Sequence, residues 1–256
     1  MGARRNRLAL VLLFAALLSL AVSVASTQRY EDFSTPTPLP EGDYLILGFQ
    51  GGVRAWDDES EGVRRLALNL RAARLPGVHV ETVENARRDL ALQLVRNALN
   101  RDRDGQLDPQ ERASARVILY GQSFGGAAVV KLARELMALE VPVLLTVQVD
   151  SVGLGDALIP SNVACAANLY QRNGLIIRGE PLVRAEDPAR TRVIGNFRHE
   201  YRNKKIDLSQ VSWLKKIFRT AHTKINFDPA VWARVEGMIL HVLRTGTCNE
   251  TPAQHD

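Results

Sequence analysis

Aromatic residues make up only 6% of this 256-residue chain, which leaves little for a surface that stacks sugars or bases. Cysteine is nearly absent: Cys165 and Cys248 are the whole supply. Two cysteines exclude a disulfide-built scaffold and a cysteine-rich metal site. Neither charge dominates. The formal net charge is +5, but residues 1–25 hold three of the 33 basic residues and none of the 28 acidic ones, so the rest of the chain stands at +2. That balance excludes the basic footprint of a nucleic-acid binder. Beyond the N-terminal segment no apolar run is long enough to span a bilayer.

The N-terminal segment itself is distinctive. Arg4, Arg5 and Arg7 precede the apolar run Leu8 to Val22, and Ser23-Val24-Ala25 supplies small residues. A basic region, an apolar region and a small-residue exit predict an export signal over residues 1–25, or an uncleaved anchor in its place. Residues 26–42 carry Ser34, Thr35, Pro36, Thr37, Pro38 and Pro40 and read as an exposed linker. A single domain is expected over 43–247, with a short tail at 248–256. In an exported protein Cys165 and Cys248 can form one bridge, tying that tail to the middle of the fold.

Within the domain, apolar strands and amphipathic helices alternate. Strands are predicted at 44–49, 78–83, 115–120 and 141–149, and helices at 62–75, 85–99, 126–139 and 229–243. Asp228 and Pro229 suit the start of the last helix. Weaker strand signals fall at 175–177 and 193–197. Continuous apolar strands between helices imply an α/β fold, a mostly parallel sheet with helices on both faces. Residues 156–174 read as a small cap, with Leu158, Ile159, Leu169 and Tyr170 as candidate pocket lining.

Gly121-Gln122-Ser123-Phe124-Gly125 follows a strand and opens a helix. A sharp strand-to-helix turn forces the serine into a strained backbone and lifts its hydroxyl above the sheet edge; the flanking glycines let the turn pack closely. Ser123 is thus the candidate nucleophile. Its base should lie late in the chain. Of five histidines, His79 precedes the serine, His241 lies within the last helix and His255 in the tail. His222, just before the final helix, is the expected base, with His199 in reserve. Asp150 closes a nearly wholly apolar strand and is the expected acid, ahead of Asp187 and Asp228. One oxyanion donor should be the Phe124 amide. The other should come from Leu47-Gly48-Phe49-Gln50-Gly51-Gly52, at Phe49 or alternatively Gln50.

In order of parts from Tyr44 to Leu243, the chain resembles the α/β-hydrolase superfamily, and within it secreted lipase- and esterase-like members. Many of those carry His-Gly before the oxyanion residue, where this chain has Leu47-Gly48. The resemblance implies a serine hydrolase acting on a small-molecule or lipid-like ester or thioester, without an organic cofactor. A non-catalytic binding module on the same fold is the competing expectation.

Asn100-Arg101-Asp102-Arg103-Asp104-Gly105-Gln106-Leu107-Asp108-Pro109-Gln110-Glu111 follows a different logic. Oxygen ligands fall at places one, three, five and nine, glycine at six, an aliphatic at eight and glutamate at twelve. This resembles the EF-hand calcium loop. Asn100, Asp102, Asp104, Gln106 (through its carbonyl), Asp108 and Glu111 are the expected Ca²⁺ ligands, in a structural role. Asn100 in place of the usual aspartate weakens the expected affinity.

Overall fold

The computed structural model describes residues 27–174, 177–209 and 221–248. The export-signal segment and the tail beyond Cys248 lie outside the described residues. Eight strands are described: β1 (Tyr44–Phe49), β2 (Val78–Val83), β3 (Val117–Gln122), β4 (Val143–Val149), β5 (Leu158–Ile159), β6 (Val163–Gln171), β7 (Arg184–Ala185) and β8 (Arg192–His199). The helices are α1 (Gly62–Ala72), α2 (Arg88–Leu99), α3 (Pro109–Ala113), α4 (Phe124–Ala138), α5 (Ala221–Asn226) and α6 (Pro229–Thr245).

Six strands form one sheet in the order β2-β1-β3-β4-β6-β8, parallel at every pairing. Period-two alternation sorts their side chains between two cores. Leu45, Leu47, Phe49, Val117 and Leu119 face α2 and α4. Ile46, Ile118, Tyr120, Leu145 and Val147 face α1 and α6. Both faces are covered, which is why these strands read as continuous apolar runs. The chain leaves β1 towards β2 and then returns to place β3 on the other side of β1. That reversal makes the carboxyl ends of β1 and β3 a topological switch point, the place where open α/β sheets bind ligands.

Three expectations need correction. First, residues 27–42 are not an exposed linker. Gln28 is fully buried, donating to Thr82 O (2.9 Å) and accepting from Glu84 N (3.0 Å). The amides and hydroxyls of Ser34 and Thr35 all donate to Glu81 Oε1 at 2.8–2.9 Å, and Leu39 enters the core. The reason is physical: β2 is an edge strand with a buried carboxylate, and this segment covers the edge and supplies the donors Glu81 needs. Second, 156–174 is not a cap. Its residues 163–171 are β6, an interior strand, with Leu169 in the core on one face of the sheet, while Ile159 is buried in the core on the other. Buried Asn168 and Gln171 interrupt the apolar run that would have marked the strand. Third, 175–177 is not a strand at Ile177, and 175–176 lie outside the described residues; 193–197 falls within β8.

Cys165 in β6 is bonded to Cys248 after α6, with Cα atoms 6.4 Å apart. The bridge fastens the C-terminal helix to the sheet, and such bonds persist in oxidising surroundings. Among the described residues no helix is long and apolar enough to cross a membrane.

Candidate active site

The strand-to-helix turn forms as its glycines require. Ser123 has φ 57° and ψ −123°, an uncommon conformation for a residue with a side chain. A Cβ on Gly121 would overlap the Gly125 carbonyl, and one on Gly125 would overlap the Phe49 carbonyl. Only hydrogen at both positions lets β3, α4 and β1 meet this closely. The Ser123 amide donates to Val149 O at 3.0 Å, tying the turn to β4.

His222 lies in the first turn of α5. Its Nε2 is 3.0 Å from Ser123 Oγ and its Nδ1 is 2.6 Å from Asp150 Oδ2. Residues 99 and 72 positions apart in sequence thus form one continuous relay. Asp150, at the carboxyl end of β4, is fully buried and itself has positive φ, 45°. Both of its oxygens are fully used. Oδ1 accepts from Gln171 N and Gly179 N, each at 3.0 Å, and Oδ2 accepts from Gln171 Nε2 at 2.9 Å beside the imidazole. A carboxylate held by four donors is fixed in position, and it fixes the ring it faces.

No motif in the sequence marks Gln171 or Gly179. Gln171 ends β6, the strand hidden by its polar residues, and Gly179 lies in the loop beyond it. Gln122 also stands by the imidazole, its Nε2 3.4 Å from His222 Nε2.

The alternatives lie elsewhere. His199 ends β8 with its ring stacked near Tyr201, and its Nε2 is buried without a partner. Burial pushes its pKa below the ordinary histidine value. Asp187 accepts the Ala189 amide in a surface turn. Asp228 caps α6 and accepts from Tyr201 Oη and Lys204 Nζ, each at 2.6 Å. Burial opposes its ionisation, but the Lys204 and Tyr201 hydrogen bonds outweigh burial and hold its carboxyl below the usual range. This cluster pins residues 201–204 to the stretch that carries His222.

The oxyanion donors divide. The Phe124 N–H, in the first turn of α4, has no intrahelical partner and faces outward at a positive helix end. Phe49 is different. Along β1 the Tyr44 and Gln50 amides donate to Gly77 O and Val83 O on the β2 side, and Leu45 donates to Arg116 O on the β3 side. This alternation turns the Phe49 N–H into the β3 ladder and takes up Gln50 on the other side. Gly51 is the first residue past the ladder, and a Cβ added there would lie 3.2 Å from Ser123 Cβ. The free amides beside the serine therefore begin at Gly51, not at Phe49.

The loop at 100–111 is hydrogen-bonded to itself. Asp102 Oδ1 accepts from Asp104 N (3.1 Å), and Asp104 Oδ1 accepts from Gln106 N (2.7 Å). Asp108 caps α3 through Glu111 N (2.8 Å). Glu111 accepts from the amides of Arg101 (2.5 Å), Asp102 (3.4 Å) and Asp108 (3.1 Å). The all-oxygen donor set suits a hard cation, and Asn100 Oδ1 is buried without a partner. As folded, however, no three His, Cys, Asp or Glu side chains converge on one point among the described residues.

A cavity of about 830 Å³ lies between α1, α6 and residues 204–209. None of Ser123, His222 and Asp150 lines it.

No protein-family profile and no curated protein sequence matches the chain. Solved structures do, at low similarity. A cutinase-like protein from Cryptococcus sp. is 18% identical, over 50% of this chain and 63% of its own, with a TM-score of 0.32. RedJ, solved with a polyethylene glycol molecule in its active site, is 11% identical over 80% and 94%, with a TM-score of 0.41. XC6422 from Xanthomonas campestris, described as a serine hydrolase of the α/β class without a lid, is 14% identical over 86% and 89%, with a TM-score of 0.37.

Proposed function

We propose that this protein is an exported serine hydrolase that cleaves an ester or thioester through an acyl-enzyme on Ser123. The observation that carries the proposal is the relay from Asp150 through His222 to Ser123, at 2.6 and 3.0 Å. In this reading His222 Nε2 takes the Ser123 hydroxyl proton as Oγ attacks the substrate's carbonyl carbon. The Phe124 N–H and an amide at Gly51 receive the developing oxyanion. Asp150 stabilises the imidazolium and keeps the ring in the tautomer that accepts from serine. The tetrahedral adduct collapses, the C–O or C–S bond breaks, and His222 returns the proton to the leaving group. Water then repeats the sequence on the acyl-enzyme, releasing the acid and restoring Ser123. A fluorophosphonate should therefore label the protein at Ser123 and fail to label the Ser123→Ala variant.

Export is supported by the basic-then-apolar segment at 1–25 and by the Cys165–Cys248 bond. Calcium at 100–111 belongs to the same proposal, as a brace between α2 and β3. Its support is the oxygen-only ligand set and the unpartnered Asn100 Oδ1. Glu111 would have to exchange three amides for the cation, so a dissociation constant on the order of 10⁻⁴ to 10⁻³ M is expected. Calcium at ten times that value should raise Tm by about 3–6 °C. Glu111→Gln should abolish the rise. An unchanged Tm in the unsubstituted protein removes calcium from the account.

A further inference from the structure

Soluble proteins scatter single exposed aliphatics over their surfaces, but here they are concentrated. Among the described residues the exposed large hydrophobics are Val53 (47%), Leu154 (78%), Leu158, Ile177 (40%) and Leu182 (50%). Apart from Leu158, which opens β5, all lie in loops that follow β1, β4 or β6. In a parallel sheet every such loop emerges at one edge, the edge that carries Ser123.

Two of these loops form one wall. Glu180 N donates to Ser151 O at 2.9 Å and Gly179 N donates to Asp150 Oδ1 at 3.0 Å, joining the loop after β6 to the loop after β4. Leu154, Ile177 and Leu182 therefore stand on adjoining loops beside Asp150. Arg172, Arg178 and Arg184 are interleaved with them and exposed, and none of the three is ion-paired among the described residues. Glu180 is the single acid between Arg172 and Arg184. Across Ser123 the loop after β1 has the opposite character, with Asp57, Asp58 and Glu59 beyond Val53.

We propose that this apolar and basic wall docks on the surface of an anionic lipid assembly and so delivers an acyl ester held in that surface to Ser123. The proposal rests on the reading of Ser123 as the nucleophile and adds to it the place where the substrate resides. Aliphatic tips that enter the acyl boundary gain by leaving water, and arginines beside them gain from the negative surface potential. The acidic turn across the site is repelled by the same potential. It orients the protein with the wall down and Asp57–Glu59 tilted away.

Flotation with vesicles separates docking from catalysis, because it needs no turnover. The Ser123→Ala protein should float with vesicles of equal parts phosphatidylcholine and phosphatidylglycerol and remain below with pure phosphatidylcholine. Placing Leu154→Ser and Leu182→Ser in that background should lower the bound fraction roughly tenfold or more. Arg172→Gln with Arg178→Gln should lower it roughly fivefold per charge, with a weaker dependence on salt. No flotation on the anionic vesicles, or flotation of the aliphatic or the arginine variant equal to that of the Ser123→Ala protein, overturns the proposal. Fluorophosphonate labelling of the unsubstituted protein reads the serine separately: labelled protein that does not float loses the docking surface and keeps the nucleophile.

Discussion

Asp150→Asn is expected to lower kcat on an activated ester about 10⁴-fold while the protein stays folded. The side chain keeps its shape, and its remaining oxygen can still accept from Gln171 N and Gly179 N. The new amide nitrogen then faces Gln171 Nε2 and His222 Nδ1, both of which now donate to the carboxylate. His222 can meet a donor only by making Nδ1 an acceptor, which moves its proton to Nε2. That proton points at Ser123 Oγ, so the ring can no longer take the serine's proton. The measurement is steady-state turnover beside circular dichroism and thermal melting. A loss below about tenfold in a folded variant would remove Asp150 from the role of acid.

His222→Ala should be more severe, on the order of 10⁵- to 10⁶-fold in kcat/KM. The relay works as a unit, so the Ser123→Ala, His222→Ala double variant should be no worse than either single one. Additive losses would mean that the two side chains act separately, against the 3.0 Å contact between them.

Much of this site was legible in the sequence, for reasons that can be named. The turn at Ser123 needs glycine on both sides, strand before and helix after, and each of these leaves a local mark. His222 was found by chain order and Asp150 by a charge that ends an apolar strand. What escaped was held by long-range contacts. β6 is interior, yet Asn168 and Gln171 interrupt its apolar run, because one donates to Glu180 O and Asn196 Oδ1 and the other holds Asp150. A strand built to carry polar groups to a buried acid does not look like a buried strand. Residues 27–42 look like a linker for the converse reason. Ser34 and Thr35 turn their hydroxyls to Glu81 rather than to water. Which amide is left beside Ser123 depends on where the β1 ladder ends, at Phe49, a fact of pairing rather than of composition.

The most direct test of the central claim is the mass of the protein after exposure to a fluorophosphonate, with the adduct mapped by peptide. One adduct per chain is expected, on the peptide holding Gly121-Gln122-Ser123-Phe124-Gly125, absent from Ser123→Ala and strongly slowed in His222→Ala. A folded protein that takes up no label, or takes it on another residue, would contradict the account and leave an α/β domain whose serine is not activated.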